Sequence, residues 1–207
     1  VPKCRVGGDG SLGEFNDVVC TGIEEKMGCH GSATCSLALG GKGNCRGMLL
    51  GKPGQGMMIM FHMMNEARLK VGFQGFIHGS AAYQYALAYA RERRQGYDPD
   101  KSKQMDGEQV PIIRHPDVRR MLLWMKSHVE GMRSLEYYIA RCFDILETTD
   151  DADVKAYCEG VTALLTPVLK TYCAAKGFDI CVKAIQIYGG YGYTKDFPAE
   201  QRSWNVR

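Results

Sequence analysis

From Met57 onward, apolar and small side chains return every three or four residues: Met57, Met60, Met64, Ala67, Val71, Gly75, His78, Ala82, Tyr85 and Tyr89. That spacing places them on one face of a helix, and the pattern predicts a single long helix ending near Gly96. Gly72, Gly75 and Gly79 sit inside it at helical spacing. Glycine lowers helix propensity but lets a neighbouring backbone come close, so tight helix packing is expected there. A second stripe runs through Val118, Met121, Leu122, Met125, Val129, Met132, Leu135, Ile139, Cys142 and Leu146, with charge on the opposite face. It predicts a helix over about 115–147, with Pro116 suited to the first turn. Thr148-Thr149-Asp150-Asp151 supplies an N-cap for a third helix over about 151–174, and a fourth is expected over about 176–188, stopped by Gly189-Gly190. Four helices with one apolar face each imply a bundle.

The first fifty residues follow another rhythm. Short apolar runs at 4–6, 18–23 and 34–39 are broken by GGDG and GGKGN, a pattern of β-structure and turns. Three such runs do not close a sheet covered on both faces, so this segment is expected to be the tail of a larger β domain. GKPGQG at 51–56 reads as a hinge, giving expected domains of 1–53 and 54–207 in a mainly α chain. The polar, proline-containing connection over 96–116 is long for a bundle and reads as an insertion. The chain opens without Met on a strand-like run and stops in mid-pattern, which reads as an internal fragment.

Composition narrows the function classes. With 207 residues, 45% hydrophobic and 24% charged, the chain is long enough to bury a core and looks like a soluble globular protein. A net charge of +3 spread along the chain gives no nucleic-acid face. No apolar run is long enough for a membrane span and no signal peptide opens the chain, so a cytoplasmic protein is expected. The nine cysteines are irregularly spaced with no CxxC, which predicts reduced, mostly buried thiols. The five histidines are scattered, with no HxxxH and no ExxH on a helix, and no metal is expected.

The strongest local oddity is QIYGGYGY at 186–193, where three glycines within four positions follow a helix. Alone it fits either a helix cap with a tight turn or a backbone that approaches a ligand. Arg91, Arg93 and Arg94 close the first helix, where cations complement the helix dipole. A phosphate-binding role needs one of them directed at a ligand from another element. His30, Ser32 and Thr34 read as ordinary turn and strand-edge hydrogen bonding.

In register along the chain stand MxxMFxMMNEARLxVGxQG (57–75), YARERRQG (89–96), PIIRHPDVRRMLL (111–123) and QIYGGYGYTKDFPAEQ (186–201), preceded by Glu25-Lys-Met-Gly28 and Gly31-Ser-Ala-Thr34. Together these resemble the acyl-CoA dehydrogenase superfamily, and are most similar to its large bacterial branch that includes 3-methylmercaptopropionyl-CoA dehydrogenase. The resemblance covers nearly all of the chain. It implies the C-terminal four-helix bundle of that fold, preceded by the last strands of its middle β domain.

The resemblance further implies FAD as cofactor, with Arg93 reaching the flavin pyrophosphate of a neighbouring subunit and Gln186, Gly189 and Gly190 contacting FAD across the interface. Arg68 would line the acyl-CoA and flavin cleft, and Tyr191 and Gly192 would border the thioester. The implied reaction is α,β-dehydrogenation of an acyl-CoA, with electrons passed to an electron-transfer flavoprotein by a homodimer or dimer of dimers. A flavin-binding relative with a DNA-damage-response role and no dehydrogenase turnover is the alternative. The family base, a glutamate in a YEGT-like loop after an RDxR element, would lie beyond Arg207, and Trp204-Asn205 stand where the family has Arg-Asp. Some relatives carry the base on the first bundle helix, one position from Glu66. That shift turns a side chain by about 100°, so Glu66 reads as a salt-bridged helix residue and no catalytic residue is assigned.

Overall fold

The computed structural model describes residues 1–101 and 107–206. The chain divides into two compact units, Val1–His62 and Met63–Arg207, with the boundary inside the first long helix.

Two separate antiparallel hairpins form the first unit: β1 (Cys4–Val6) with β2 (Leu12–Phe15), and β3 (Val18–Ile23) with β4 (Cys35–Leu39). The expected apolar runs at 4–6, 18–23 and 34–39 become β1, β3 and β4. β2 carries only Leu12 and Phe15 as apolar residues and pairs with β1 through the Gly7–Gly10 turn. The buried side chains described in this unit are polar, Asn16 and Asp17. Asn16 Nδ2 donates to the carbonyls of Pro2 and Arg46 at 2.9 and 2.7 Å, while its Oδ1 accepts from the Arg46 N–H at 3.0 Å. Asp17, at a φ of 52°, accepts the Lys42 N–H at 2.6 Å. A polar corner therefore ties β2–β3 to the segment after β4. Ser32 N–H donates to the Cys29 carbonyl at 3.0 Å, in keeping with the turn reading of that loop.

Long helices make up the second unit: the main part of α1 (Gly56–Glu92), α2 (Pro116–Thr148), α3 (Ala152–Tyr188) and the short α4 (Ala199–Val206). The mainly α bundle is as expected, with its helices divided differently. The predicted third and fourth helices are one, because nothing around Ala174-Ala175-Lys176 breaks a helix. Gly177 serves packing there: a Cβ on it would run into the Gly75 carbonyl, and one on Gly75 would lie 2.5 Å from the Cys173 carbonyl oxygen. Backbone contact between α1 and α3 is the tight packing that the α1 glycines predict. Asp151 caps α3, accepting from Asp153 and Val154 N–H at 2.9 and 3.1 Å. Pro116 opens α2.

The core gathers Met125, Met132, Ile139, Leu169 and Ile180, each fully buried. Cys142, Cys158, Cys173 and Cys181 are buried with it, whereas Cys20, Cys29 and Cys35 in the first unit are exposed and Cys4 and Cys45 half-buried. The expectation of mostly buried thiols thus holds only for the bundle, since two-stranded hairpins have no interior to put them in. Among the described residues there is no cluster of three metal-binding side chains and no helix long and apolar enough to cross a membrane.

Candidate functional site

The end of α1 is held by the connection that follows it. Ile112 N–H donates to the Arg93 carbonyl at 2.8 Å, Gln95 N–H to Val110 at 2.9 Å, and Val110 N–H to Gly96 at 3.0 Å. Gly96 adopts a φ of 71° with the His115 ring against it, and His115 Nε2 lies 2.7 Å from the Gln95 carbonyl. These bonds fix the backbone from which Arg93 projects. Residues 102–106 of the connection, the centre of the expected insertion, lie outside the described residues.

At the end of α3, Gly189 turns the chain with a φ of 61°, its N–H donating to the Gln186 carbonyl. Paired with a ψ of −134°, that φ falls in a region open chiefly to glycine. The following 3₁₀ turn, Gly189–Tyr193, brings Tyr191 beneath Arg93, whose guanidinium carbon lies 5.6 Å from the ring centroid. An aromatic cluster supports the turn: Tyr89 stacks on Tyr188 at 4.3 Å, and Phe197 meets Tyr188 and Tyr191 at 5.5 and 5.1 Å. Tyr188 donates its hydroxyl to the Tyr85 carbonyl at 3.3 Å. Burial, then the neighbouring Tyr89 and Tyr85, pushes its phenol above the ordinary range, so it stays a neutral structural donor.

Between these elements lies a cleft of about 470 Å³, lined by Tyr89, Arg93, Gln95, Gly189, Gly190, Tyr191 and Thr194, with Ile112, Ile187 and Tyr188 behind them. Arg93 is half-buried and has no carboxylate partner among the described residues, whereas its neighbour Arg94 is engaged with Glu108 at 3.7 Å and the Gln109 carbonyl at 2.9 Å. A Cβ on Gly189 or Gly190 would meet nothing within 4 Å, so both backbones face open space. One unpaired guanidinium opposite exposed peptide groups, over an aromatic floor, suits an anionic ligand with a planar portion.

The structure therefore brings together Arg93, Gly189, Gly190 and Tyr191 of the sequence-derived site residues. Gln186 contributes its carbonyl to the turn, and its exposed side chain lies outside the cleft lining. Gly192 is buried because any side chain would run into the Ile185 carbonyl, which gives it a packing role. Arg68 stands some two dozen residues earlier on α1, about 35 Å along the helix at about 1.5 Å per residue, with its Nη1 3.3 Å from Asn65 Oδ1. It is not part of this cleft. Glu66 pairs with Lys70 at 2.6 Å, and that hydrogen bond holds its carboxyl below the usual range; this is the salt-bridged helix residue expected, and a poor base.

Sequence reasoning missed Tyr89, Gln95, Thr194 and Phe197 as parts of this site. Tyr89 had a signal, lying one helical turn before Arg93 on the same face. It missed Glu136 as well, a carboxylate that is 4% exposed in the bundle core with Oε2 lacking a hydrogen bond. Burial lifts Glu136 to about 7. Its signal was position, since 136 falls on the apolar stripe between Met132 and Ile139.

Residues 54–207 match the family model described as the C-terminal domain of acyl-CoA dehydrogenase. The chain is 42% identical over 202 residues to a butyryl-CoA dehydrogenase of Syntrophomonas wolfei, covering 95% of this chain and 33% of that protein. It is 36% identical over 196 residues to the 3-methylmercaptopropionyl-CoA dehydrogenase of Ruegeria pomeroyi, covering 95% and 32%. A solved acyl-CoA dehydrogenase of Bacillus anthracis complexed with FAD superposes with a TM-score of 0.74 at 25% identity, covering 92% of this chain and 32% of that one. The chain spans about a third of the length of the curated relatives it matches. The match of the family model over residues 54–207, which include the whole bundle and its cleft, shows that the chain belongs to the acyl-CoA dehydrogenase family.

Proposed function

We propose that this chain supplies part of the flavin site of an FAD-dependent acyl-CoA dehydrogenase. The observation that carries the reading is the convergence of the unpaired Arg93 guanidinium with the open Gly189-Gly190 backbone around one cleft. The donor set fits the cofactor: a forked cation for a diphosphate, peptide groups without side chains for close approach, and aromatic rings beside them. When bound, FAD supplies the acceptor for the hydride leaving the β-carbon of the thioester. Arg93 would hold the diphosphate and Gly189-Gly190 would let the ligand come close, while Tyr188 and Phe197 keep Tyr191 in place. Since an acceptor facing outward from this bundle suits a cofactor carried by a second copy, the reading includes a homo-oligomer, a dimer or a dimer of dimers.

The substrate reading is an acyl-CoA, converted to the 2-enoyl-CoA with electrons passed to an electron-transfer flavoprotein. The names of the relatives support it, and short or medium acyl groups are the expected class. The division into a β-domain tail at 1–53 and a helical domain at 54–207 belongs to the same reading, as do Gln186 as a flavin contact, Arg68, Tyr191 and Gly192 as substrate contacts, and a cytoplasmic location. The whole protein that carries this chain should purify yellow with a flavin absorbance band, and an acyl-CoA should bleach that band anaerobically. A colourless protein that takes up no FAD would contradict the cofactor reading. Flavin that no acyl-CoA reduces would contradict the dehydrogenase reading alone.

A further inference from the structure

Two side-chain ties close the connection between α1 and α2, and they land on different things. Residues 93–96 run antiparallel to 109–112, with a bridge between Arg94 and Pro111. One tie joins Arg114 to Asp98 and Asp100, each at 3.3 Å, and neither aspartate lines the cleft. The other joins His115 Nε2 to the Gln95 carbonyl at 2.7 Å. Gln95 does line the cleft, two residues after Arg93. A carbonyl only accepts, so Nε2 carries the proton and the histidine donates.

The donor of this tie stands on a rigid base and its target does not. His115 precedes Pro116, which holds it extended at a φ of −73° and a ψ of 132°, and it is the N-cap residue of α2. Gln95 is followed by Gly96 at a φ of 71°, and glycine has the widest choice of backbone conformations. A Cβ on Gly96 would lie 3.1 Å from His115 Cε1 and 3.2 Å from Nε2, so the missing side chain is what lets the ring reach the carbonyl. The bonds of Gln95 N–H and the Gly96 carbonyl to Val110 tie this corner to the connection alone. His115 ties it to a helix.

We infer that His115 is a positioning residue of the cleft: by donating to the Gln95 carbonyl it fixes the corner after Arg93 and so aims the Arg93 guanidinium at an anionic ligand, a role that rests on the flavin reading of the cleft. His115 is not among the lining residues and acts through Gln95 and Arg93. Among the described residues the Arg93 side chain meets the face of Tyr191. A ring-face contact engages the guanidinium plane, so the direction of its N–H groups is left to the backbone beneath.

The test measures FAD and FMN affinity of the whole protein in wild type, His115→Phe, His115→Gln, Arg114→Ala and Arg93→Ala. Phenylalanine keeps a ring and removes the donor, whereas glutamine returns an N–H near the place of Nε2. His115→Phe should lose about fivefold in FAD affinity, the worth of one hydrogen bond, with FMN little changed, and His115→Gln should recover most of the loss. Arg114→Ala, which gives up an exposed ion pair, should match wild type. In the Arg93→Ala background, His115→Phe should cost nothing further, because the group it aims is gone. A purely structural role would instead lower Tm and weaken both flavins alike, with or without Arg93. Any of four results would overturn the inference and leave the flavin reading standing: unchanged FAD affinity in His115→Phe while Arg93→Ala loses it, an equal loss for both flavins, no rescue by glutamine, or an equal loss in Arg114→Ala. A His115→Phe loss that persists at full size in the Arg93→Ala background would do the same. Wild-type FAD affinity in Arg93→Ala would remove the flavin reading itself, and the role of His115 with it.

Discussion

The two units solve the problem of stability by opposite means. In Met63–Arg207, apolar side chains from three long helices close over one another, and Met125, Met132, Ile139 and Leu169 reach full burial. In Val1–His62 the buried described residues are Asn16 and Asp17, while Leu12 is 79% exposed and Leu37 59%. A helix carries a stripe that a neighbouring stripe can cover, and among the described residues each two-stranded hairpin leaves its apolar side chains open. The burial described in the first unit is a hydrogen-bonded polar corner, and in the second it is close apolar packing. The thiols sort the same way, exposed or half-buried in the first unit and buried in the second.

Substitutions of similar size should separate the two regimes. The largest effect is expected from Gly75→Ala, whose new methyl would meet the Cys173 carbonyl at the α1–α3 contact; it should destabilise the chain by roughly 3 kcal/mol in urea unfolding. If α1 and α3 can part without loss, the helix register described above is wrong.

Glu136 is the exception inside the packed region, and it should respond to pH. Its folded-state value of about 7 lies above the ordinary 4.5, so the folded chain holds the proton longer. Stability attributable to this group is fully present below about pH 4.5, falls as pH rises to about 7, and is flat above. Replacing the carboxylate by Glu136→Met should stabilise by about 1–3 kcal/mol at pH 8, with that pH-dependent gain fading as the pH approaches 4.5. Thermal unfolding at pH 8 and pH 5 reads the difference, and an equal gain at both would remove the charge from the explanation.

Asp151→Ala should lower stability by about 1 kcal/mol through loss of the α3 cap, measurable as a shift in urea midpoint. Leu37→Ser on the exposed hairpin should change it by no more than about 0.5 kcal/mol. A larger loss there would mean that the hairpins depend on apolar burial after all.

How much of this was written in the sequence differs by region too. The α2 stripe from Val118 to Cys142 predicts its helix to within a residue at each end, because burial on one face imposes the helical period directly. The expected break between 174 and 176 is absent from α3 (Ala152–Tyr188), where Gly177 instead lets the Gly75 backbone of α1 come close. β2 escaped because Leu12 and Phe15 alone make no alternating run. For the cleft, the glycines at 189 and 190 and the arginine at 93 were legible as types, but not their facing one another. That direction depends on the bonds from Ile112 and Val110 to the end of α1, and on Phe197 bracing Tyr191, contacts between residues far apart in sequence.

The most direct test of the cleft is the affinity of the whole protein for FAD against FMN, wild type against Arg93→Ala. If Arg93 holds a diphosphate, the variant should lose roughly tenfold or more in FAD affinity. FMN binding, which offers one phosphate, should change far less. Equal affinity of wild type and variant for FAD, or an equal loss for both flavins, would contradict the assignment of Arg93 and the Gly189-Gly190 turn to the cofactor.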